Sequence, residues 1–460
     1  MKTLHRHLLI LTSYFFVCNT TYGVDLTLEE VLQSVEKHYP QVKIAQLEIT
    51  KAEGSYIRAL GQFDPSINAD SASQPIGGYI NNYADTQFNI PTLYNGLKLF
   101  AGYRNGQGDW PIYYQNYLTN SGGEYRAGLS LPLLRDRLID KERSQLLTSA
   151  ESIRMKTHDA QAIKIKIYQE TIKTYWQWVE AGLQLHTFEQ LLTLAKTRQS
   201  AIEQQATQGD LPMLAVSENM QQIMQREQLL NQGKMIFEQA SIRLSLYYRD
   251  NSGRPKVPER MRLPRRILHQ SKNLTRTQTE VGCHPALKKL QNYSKIMTIK
   301  RDLARNELMP YLDVKAYAFK QFGSGGYPLL LPQAGMVGVA FKFPTLQREA
   351  KGKLVHAQSE LQQVRTEKKF LYEQLKNELT NLLIGISRFQ KQVAFLKKEQ
   401  HLAELVQIGE TKKFFAGDST LFLVNQREQT TTQVQLNWID ATVQLEELKD
   451  LVRFFATTKM

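Results

Sequence analysis

Cysteine is nearly absent, with two in 460 residues. Cys18 falls in a segment with the form of a cleaved export signal, which leaves Cys283 alone in the mature chain. No internal disulfide and no cysteine-rich metal site are therefore expected. Long apolar runs are also missing: no segment holds eighteen consecutive apolar residues, and mean hydropathy is −0.41. Helical membrane spans are excluded on that ground. A membrane β-barrel is not, because its strands are short and only alternate residues need be apolar. Catalytic signatures are lacking too, with no HExxH zinc helix, no phosphate-binding P-loop and no Gly-x-Ser-x-Gly elbow. The glycine-rich "FGSGGYP" (322–328) is followed by no Lys-Ser/Thr pair and no helix, so it reads as a tight loop between strands. Cys283-His284 has no matching His or carboxylate cluster. No enzyme, no cofactor and no metal are expected.

What is present begins with that export signal, residues 1–23. Lys2 and Arg6 give a positive start, "LLILTSYFFV" (8–17) a short apolar core, and "TYG" (21–23) a cleavage site. The core is too short to span a bilayer. Cys18 follows "FFV" rather than the small residue that precedes a lipid-attachment cysteine. The net charge of +14 and pI near 9.4 raise nucleic acid or an anionic membrane as partners. Export argues against nucleic acid, and the basic run "RPKVPERMRLPRR" (254–266) reads as a solvated linker.

The chain repeats itself. "HYPQVKIAQL" (38–47) pairs with "CHPALKKLQN" (283–292), and "QFDPSINA" (62–69) with "ELMPYLDV" (307–314). "AGLSLPLL" (127–134) pairs with "VAFKFPTL" (339–346), and "TQGDLPMLAVSENM" (207–220) with "FAGDSTLFLVNQRE" (415–428). Four landmarks in one order at near-equal spacing indicate a duplicated unit. The first copy covers 24–249 and the second 278–456, with a Pro-rich linker at 250–277. The halves differ most at 74–124, rich in Gly, Asn and Tyr, which is expected as an elaborated loop. Its aromatic residues fit an ordinary aromatic-stabilised loop, with a girdle and an external lid as the alternative.

Leu354, Ala357, Leu361, Val364, Leu371, Leu375 and Leu379 step mostly by three and four, and the series continues to Leu396. That is a coiled-coil seam, and an unbroken helix of about seventy residues would be roughly 100 Å long. Period-two alternation marks strands at 312–319, 337–343 and 125–131, with a weaker match at 66–73. Four strands cannot close a membrane barrel alone, so several copies must combine.

The sequence resembles the outer-membrane efflux protein (TolC-like) family over nearly the whole mature chain. The segments that carry the resemblance are "LTLEEVLQSVEKHYPQVKIAQLEI" (26–49), "LPLLRDRLIDKERSQLLTSA" (131–150), "FPTLQREAKGKLVHAQSEL" (343–361) and the two Gly-Asp stretches. It implies a mostly α fold with a small β part. Duplicated long-helix hairpins would form an α-helical barrel, and four strands per chain would enter a trimeric twelve-stranded transmembrane β-barrel. It implies a homotrimer in the outer membrane of a Gram-negative bacterium, extending into the periplasm. It further implies a passive exit duct for efflux or type I secretion, coupled through a periplasmic adaptor to an inner-membrane pump of RND or ABC type. A periplasmic coiled-coil adaptor or structural protein with a small β-domain is the alternative.

The resemblance makes the Gly-Asp stretches hairpin tips, at 208–212 and 416–420. Gly209, Asp210, Leu211 and Pro212, with Gly417, Asp418, Ser419 and Thr420, are the candidate adaptor contacts. Physically, each glycine can end a helix in the left-handed conformation. Asp210 or Asp418 can then cap the next helix, and Pro212 suits an early helical position. Some members of the family carry aspartates six and nine residues after the second tip glycine, at the periplasmic gate. Leu423 and Gln426 stand at those places here, so an acidic, cation-binding gate is not expected. Lys412 and Lys413 read as a solvated helix face.

Overall fold

Residues 25–264, 280–325 and 333–456 are described in the computed structural model. The expected export signal, the linker beyond residue 264 and the end of the 322–328 segment lie outside them. Seven α-helices occur among the described residues: α1 (Leu28–His38), α2 (Pro40–Leu60), α3 (Lys141–Gln208), α4 (Met213–Ser245), α5 (Pro285–Asn306), α6 (Arg348–Phe415) and α7 (Leu421–Arg453). The strands are β1 (Ser66–Gln74), β2 (Asn81–Pro91), β3 (Lys98–Gly108), β4 (Glu124–Pro132), β5 (Tyr311–Gln321) and β6 (Gln333–Lys342). α3 and α6 have 68 residues each, and α4 and α7 have 33 each. No described helix is long and apolar enough to cross a membrane.

The chain divides into two compact units, and each takes segments from both sequence halves. The first holds residues 25–37, 171–264 and 389–447. Its α1 is entered through Thr27, whose hydroxyl accepts the Glu30 N–H at 3.2 Å and caps the first turn. Leu28, Val31, Leu32 and Val35 then form one buried stripe at helical spacing. The Tyr175 hydroxyl donates to the Leu26 carbonyl at 2.8 Å, and Trp178 stacks on Phe237 while donating to Ser241 Oγ at 3.1 Å. The start of the linker is not a free solvated belt, as its composition suggests. Arg262 clamps Glu30 at 2.7 Å, Tyr248 donates to the same carboxylate at 2.9 Å, and Arg260 pairs with Glu189. Arg262 and Tyr248 hold the Glu30 carboxyl below its ordinary pKa, because both bind its charged form.

The second unit holds residues 38–170, 280–325, 333–388 and 448–456. Pro40 and Pro285 open α2 and α5 at the first turn, where a missing N–H costs nothing. Leu287, Leu375, Leu379, Val452 and Phe455 form one apolar core, and Ile296, Met297, Leu361 and Val364 another. The sheet is antiparallel in the order β1-β2-β3-β4-β5-β6. It has six strands, not the four expected, because the 74–124 segment is not simply a loop. Its Asn95-Gly96 pair turns the chain with φ of +48° and +73°, and β2 and β3 zip into a hairpin on either side. That hairpin lies within the sheet, between β1 and β4.

Candidate docking end and polar sheet face

Within the first unit the two Gly-Asp stretches have the same backbone geometry. Gly209 and Gly417 take φ of +86° and +83°, open to solvent on the side where a Cβ would project. The Gly209 N–H donates to the Ala206 carbonyl at 3.2 Å and the Asp210 N–H to the Gln205 carbonyl at 3.0 Å. The second tip repeats this, from Gly417 to Phe414 at 3.1 Å and from Asp418 to Lys413 at 2.9 Å. These crossed bonds form a Schellman motif, which satisfies the last carbonyls of a helix. The aspartates therefore contribute backbone N–H groups, and the expected side-chain caps are corrected. Pro212 is itself the N-cap of α4, with no side-chain cap bond, rather than a residue inside the helix. At the second tip Thr420 Oγ1 accepts the Leu423 N–H at 3.4 Å, and the Ser419 hydroxyl turns back to Glu410.

Beneath the tips, Ile202, Ala215, Phe414, Leu421 and Val424 make a buried cluster against which Leu211 and Val216 pack. The surface around them is apolar in part, with Met213, Leu214 and Phe422 each about two-thirds exposed. Lys412 and Lys413 are exposed in the last turn of α6, where the helix dipole favours positive charge. Leu423 is half-buried and Gln426 exposed, so neither brings a carboxylate to this end.

Sequence reasoning missed a buried charge cluster that joins the two hairpins. Arg198 of α3, Arg226 of α4, and Asn425 and Glu428 of α7 are all buried. Arg198 and Arg226 donate to the two oxygens of Glu428, the latter at 2.7 Å. Arg198 also donates to Asn425 Oδ1 at 3.0 Å, and Arg226 to the Leu191 carbonyl at 2.9 Å. Burial pushes the Arg198 pKa down against the pull of Glu428. The signal available in the sequence was two arginines standing among the apolar positions of long helices.

In the second unit, alternation gives the sheet two unlike faces. One carries Ile67, Phe88, Leu99, Leu129, Val314 and Val339, and among strand residues its only charge is Lys320. It is uncovered, with Ile67 70% and Val337 73% exposed. Asp85, Arg104, Glu124, Arg126, Asp313 and Lys315 all lie on the opposite face. There Arg126 pairs with Asp85 and donates to Gln87 at 3.2 Å, and Arg104 pairs with Glu124 at 3.0 Å. The Ser130 hydroxyl donates to Asp313 at 2.8 Å. Tyr117 reaches this polar face, meeting Tyr83 edge-on at 5.0 Å with Trp110 stacked on it, whereas Gln107 and Tyr103 of the other face donate to the Asn120 and Gly122 carbonyls at 3.0 and 3.3 Å. The Asn120 N–H donates to Gln321 at 2.9 Å. Among the described residues no cluster of His, Cys, Asp or Glu could hold a metal ion.

No family model and no curated protein sequence matches the chain. Solved structures do. CusC, whose crystal structures concern transmembrane channel formation, is 12% identical, with a TM-score of 0.67 over 95% of this chain and 93% of its own. The outer membrane protein VceC of Vibrio cholerae is 14% identical, with a TM-score of 0.65 over 93% and 95%. The open-state MtrE outer membrane channel of Neisseria gonorrhoeae is 13% identical, with a TM-score of 0.63 over 99% and 98%. The chain has the fold of the TolC-like outer-membrane channels.

Proposed function

We propose that the chain is an outer-membrane exit duct of a tripartite efflux or type I secretion system. It conducts passively, and three copies join their sheets into one transmembrane barrel. The observation that carries this reading is the two-faced sheet. An uncovered apolar face opposite a charged one suits a wall between lipid and water. β1 and β6 each pair on one side only, and a sheet edge cannot stand free in lipid. The long helices extend into the periplasm, and the tips meet an adaptor that leads to an inner-membrane pump of RND or ABC type. The exposed Met213, Leu214 and Phe422 give the tips an apolar contact surface. The alternative, a periplasmic adaptor, is disfavoured because the channel likeness covers nearly the whole chain.

Fractionation tests the reading. The protein should sediment with outer membranes and need detergent for extraction, and a deletion strain should gain susceptibility to some drugs, metals or detergents. Release by osmotic shock alone would overturn it.

A further inference from the structure

The inserted hairpin β2–β3 bears on the dimensions of the duct. We propose that it is part of the membrane wall, so that each copy supplies six strands and a trimer closes an eighteen-stranded barrel. The inference rests on the outer-membrane duct reading above.

Three observations place the hairpin in the wall. Its strands are 11 residues each, the length of β5 and enough for a tilted membrane strand. It is hydrogen-bonded on both sides, from Ser66 opposite Asn89 on β1 to Lys98 opposite Ser130 on β4. Its residues also keep the alternation of the rest of the sheet. Ala84, Phe88 and Ala101 lie on the apolar face, while Asp85, Gln87 and Arg104 lie on the polar one. A hairpin projecting into water would need no such alternation.

The polar face also shows why the hairpin stays in place. Arg126 reaches from β4 across β3 to Asp85 and Gln87 on β2. The residue it crosses is Gly102, which is paired with both Arg126 and Gln87. A Cβ there would sit 2.8 Å from the Thr86 carbonyl and 3.5 Å from Arg126 Nε. Glycine thus leaves the space through which a half-buried ion pair ties the hairpin to β4.

Barrel diameter grows roughly in proportion to strand number, so eighteen strands give about one and a half times the width of twelve. Barrels of that size leave an aqueous channel unless something fills them. Here Tyr117, which meets Tyr83, and Trp110, stacked on it, cover the polar face at the end away from the Asn95-Gly96 turn, and Asn120 ties the same connection to Gln321. The wall is wide, and its outer mouth is narrowed from within.

Two single-cysteine variants in a Cys283→Ser background test the placement in isolated outer membranes. Gln87→Cys should react with a water-soluble maleimide. Ala101→Cys should be protected from it, by at least tenfold in rate, and react with a lipid-dissolved maleimide. A density map of the extracted full-length trimer should count eighteen strands around the wall. Equal reaction of both cysteines with the water-soluble reagent, or a twelve-stranded wall, would overturn the inference while leaving the duct reading intact. Absence of the protein from the outer-membrane fraction would instead overturn the duct reading, and the inference with it.

Discussion

Arg226 of the first hairpin donates a 2.7 Å hydrogen bond to Glu428 of the second, and both side chains are almost wholly buried. Arg198 takes the other carboxylate oxygen, so one acid holds two guanidiniums. Taking three charges out of water is costly, and their mutual attraction offsets that cost only while the geometry is complete. The cluster therefore acts as a register pin between α3, α4 and α7 more than as a source of net stability. A shift of one hairpin along the other would leave a buried charge without its partner.

Removing the acid should accordingly be worse than removing the whole cluster. Glu428→Gln leaves two buried arginines opposed and should destabilise the first unit by about 3–5 kcal/mol. The triple change Arg198→Met, Arg226→Met, Glu428→Leu should cost less than that single one. Thermal unfolding of the detergent-extracted protein compares them. A melting temperature unchanged in Glu428→Gln would show that the pair is not buried as described.

The tips separate backbone from side chain. Asp418 serves through its N–H, so Asp418→Ala should leave folding and export close to normal. Gly417→Val puts a β-branched residue at φ +83°, a conformation that costs roughly 1–2 kcal/mol for a residue with a Cβ. It should impair export, read as drug susceptibility, more than it impairs assembly in the outer membrane. Asp418→Ala and Gly417→Val giving the same export defect would return the weight to the carboxylate.

His284 should give the fold an acid-sensitive step. Its ring accepts the Ala286 N–H at 3.2 Å to cap α5 and lies against Phe455, and burial lowers its pKa from 6.5 to about 4. The unfolded chain thus binds the proton more readily than the folded one. The stabilising contribution is complete above pH 6.5 and is lost as pH falls toward 4. Burial raises the pKa of Glu180 and Glu447, which oppose this trend in acid, so the contribution is read by comparison. His284→Asn, which keeps a capping acceptor, should flatten the loss of melting temperature between pH 6.5 and 4.5. An identical pH profile in the variant would count against it.

Long helices, their duplication and the strand pairs β5–β6 and β4 were legible because each carries a sustained period. The β2–β3 hairpin was not, since "NNYADTQFNI" alternates small and polar residues against only a few large apolar ones. Ala84, Thr86 and Ala101, on the uncovered apolar face, give a weak signal, although Asn95-Gly96 stood in the sequence as a turn marker. The Arg198–Glu428–Arg226 cluster escaped for another reason. Glu428 lies more than two hundred residues from either arginine, and helical period reports faces, not which charges will meet. The Gly-Asp tips were read correctly at glycine, where φ decides the residue. They were misread at aspartate, where a backbone role looks the same as any polar side chain.

The aromatic cap offers the most direct functional readout. Trp110 stacks on Tyr117, which meets Tyr83 on the polar face, and Thr119 is fully buried against Gly106. An aromatic pair contributes about 0.5–1.5 kcal/mol beyond burial, so removing the central ring should free the segment without unfolding the sheet. Tyr117→Ala should therefore leave outer-membrane assembly unchanged and raise single-channel conductance in planar bilayers. It should also admit large hydrophilic antibiotics to otherwise intact cells. Tyr113→Ala is the control, because that ring is 91% exposed and should change neither quantity. Equal conductance in Tyr117→Ala and the parent protein would mean that the aromatic cap does not narrow the proposed duct.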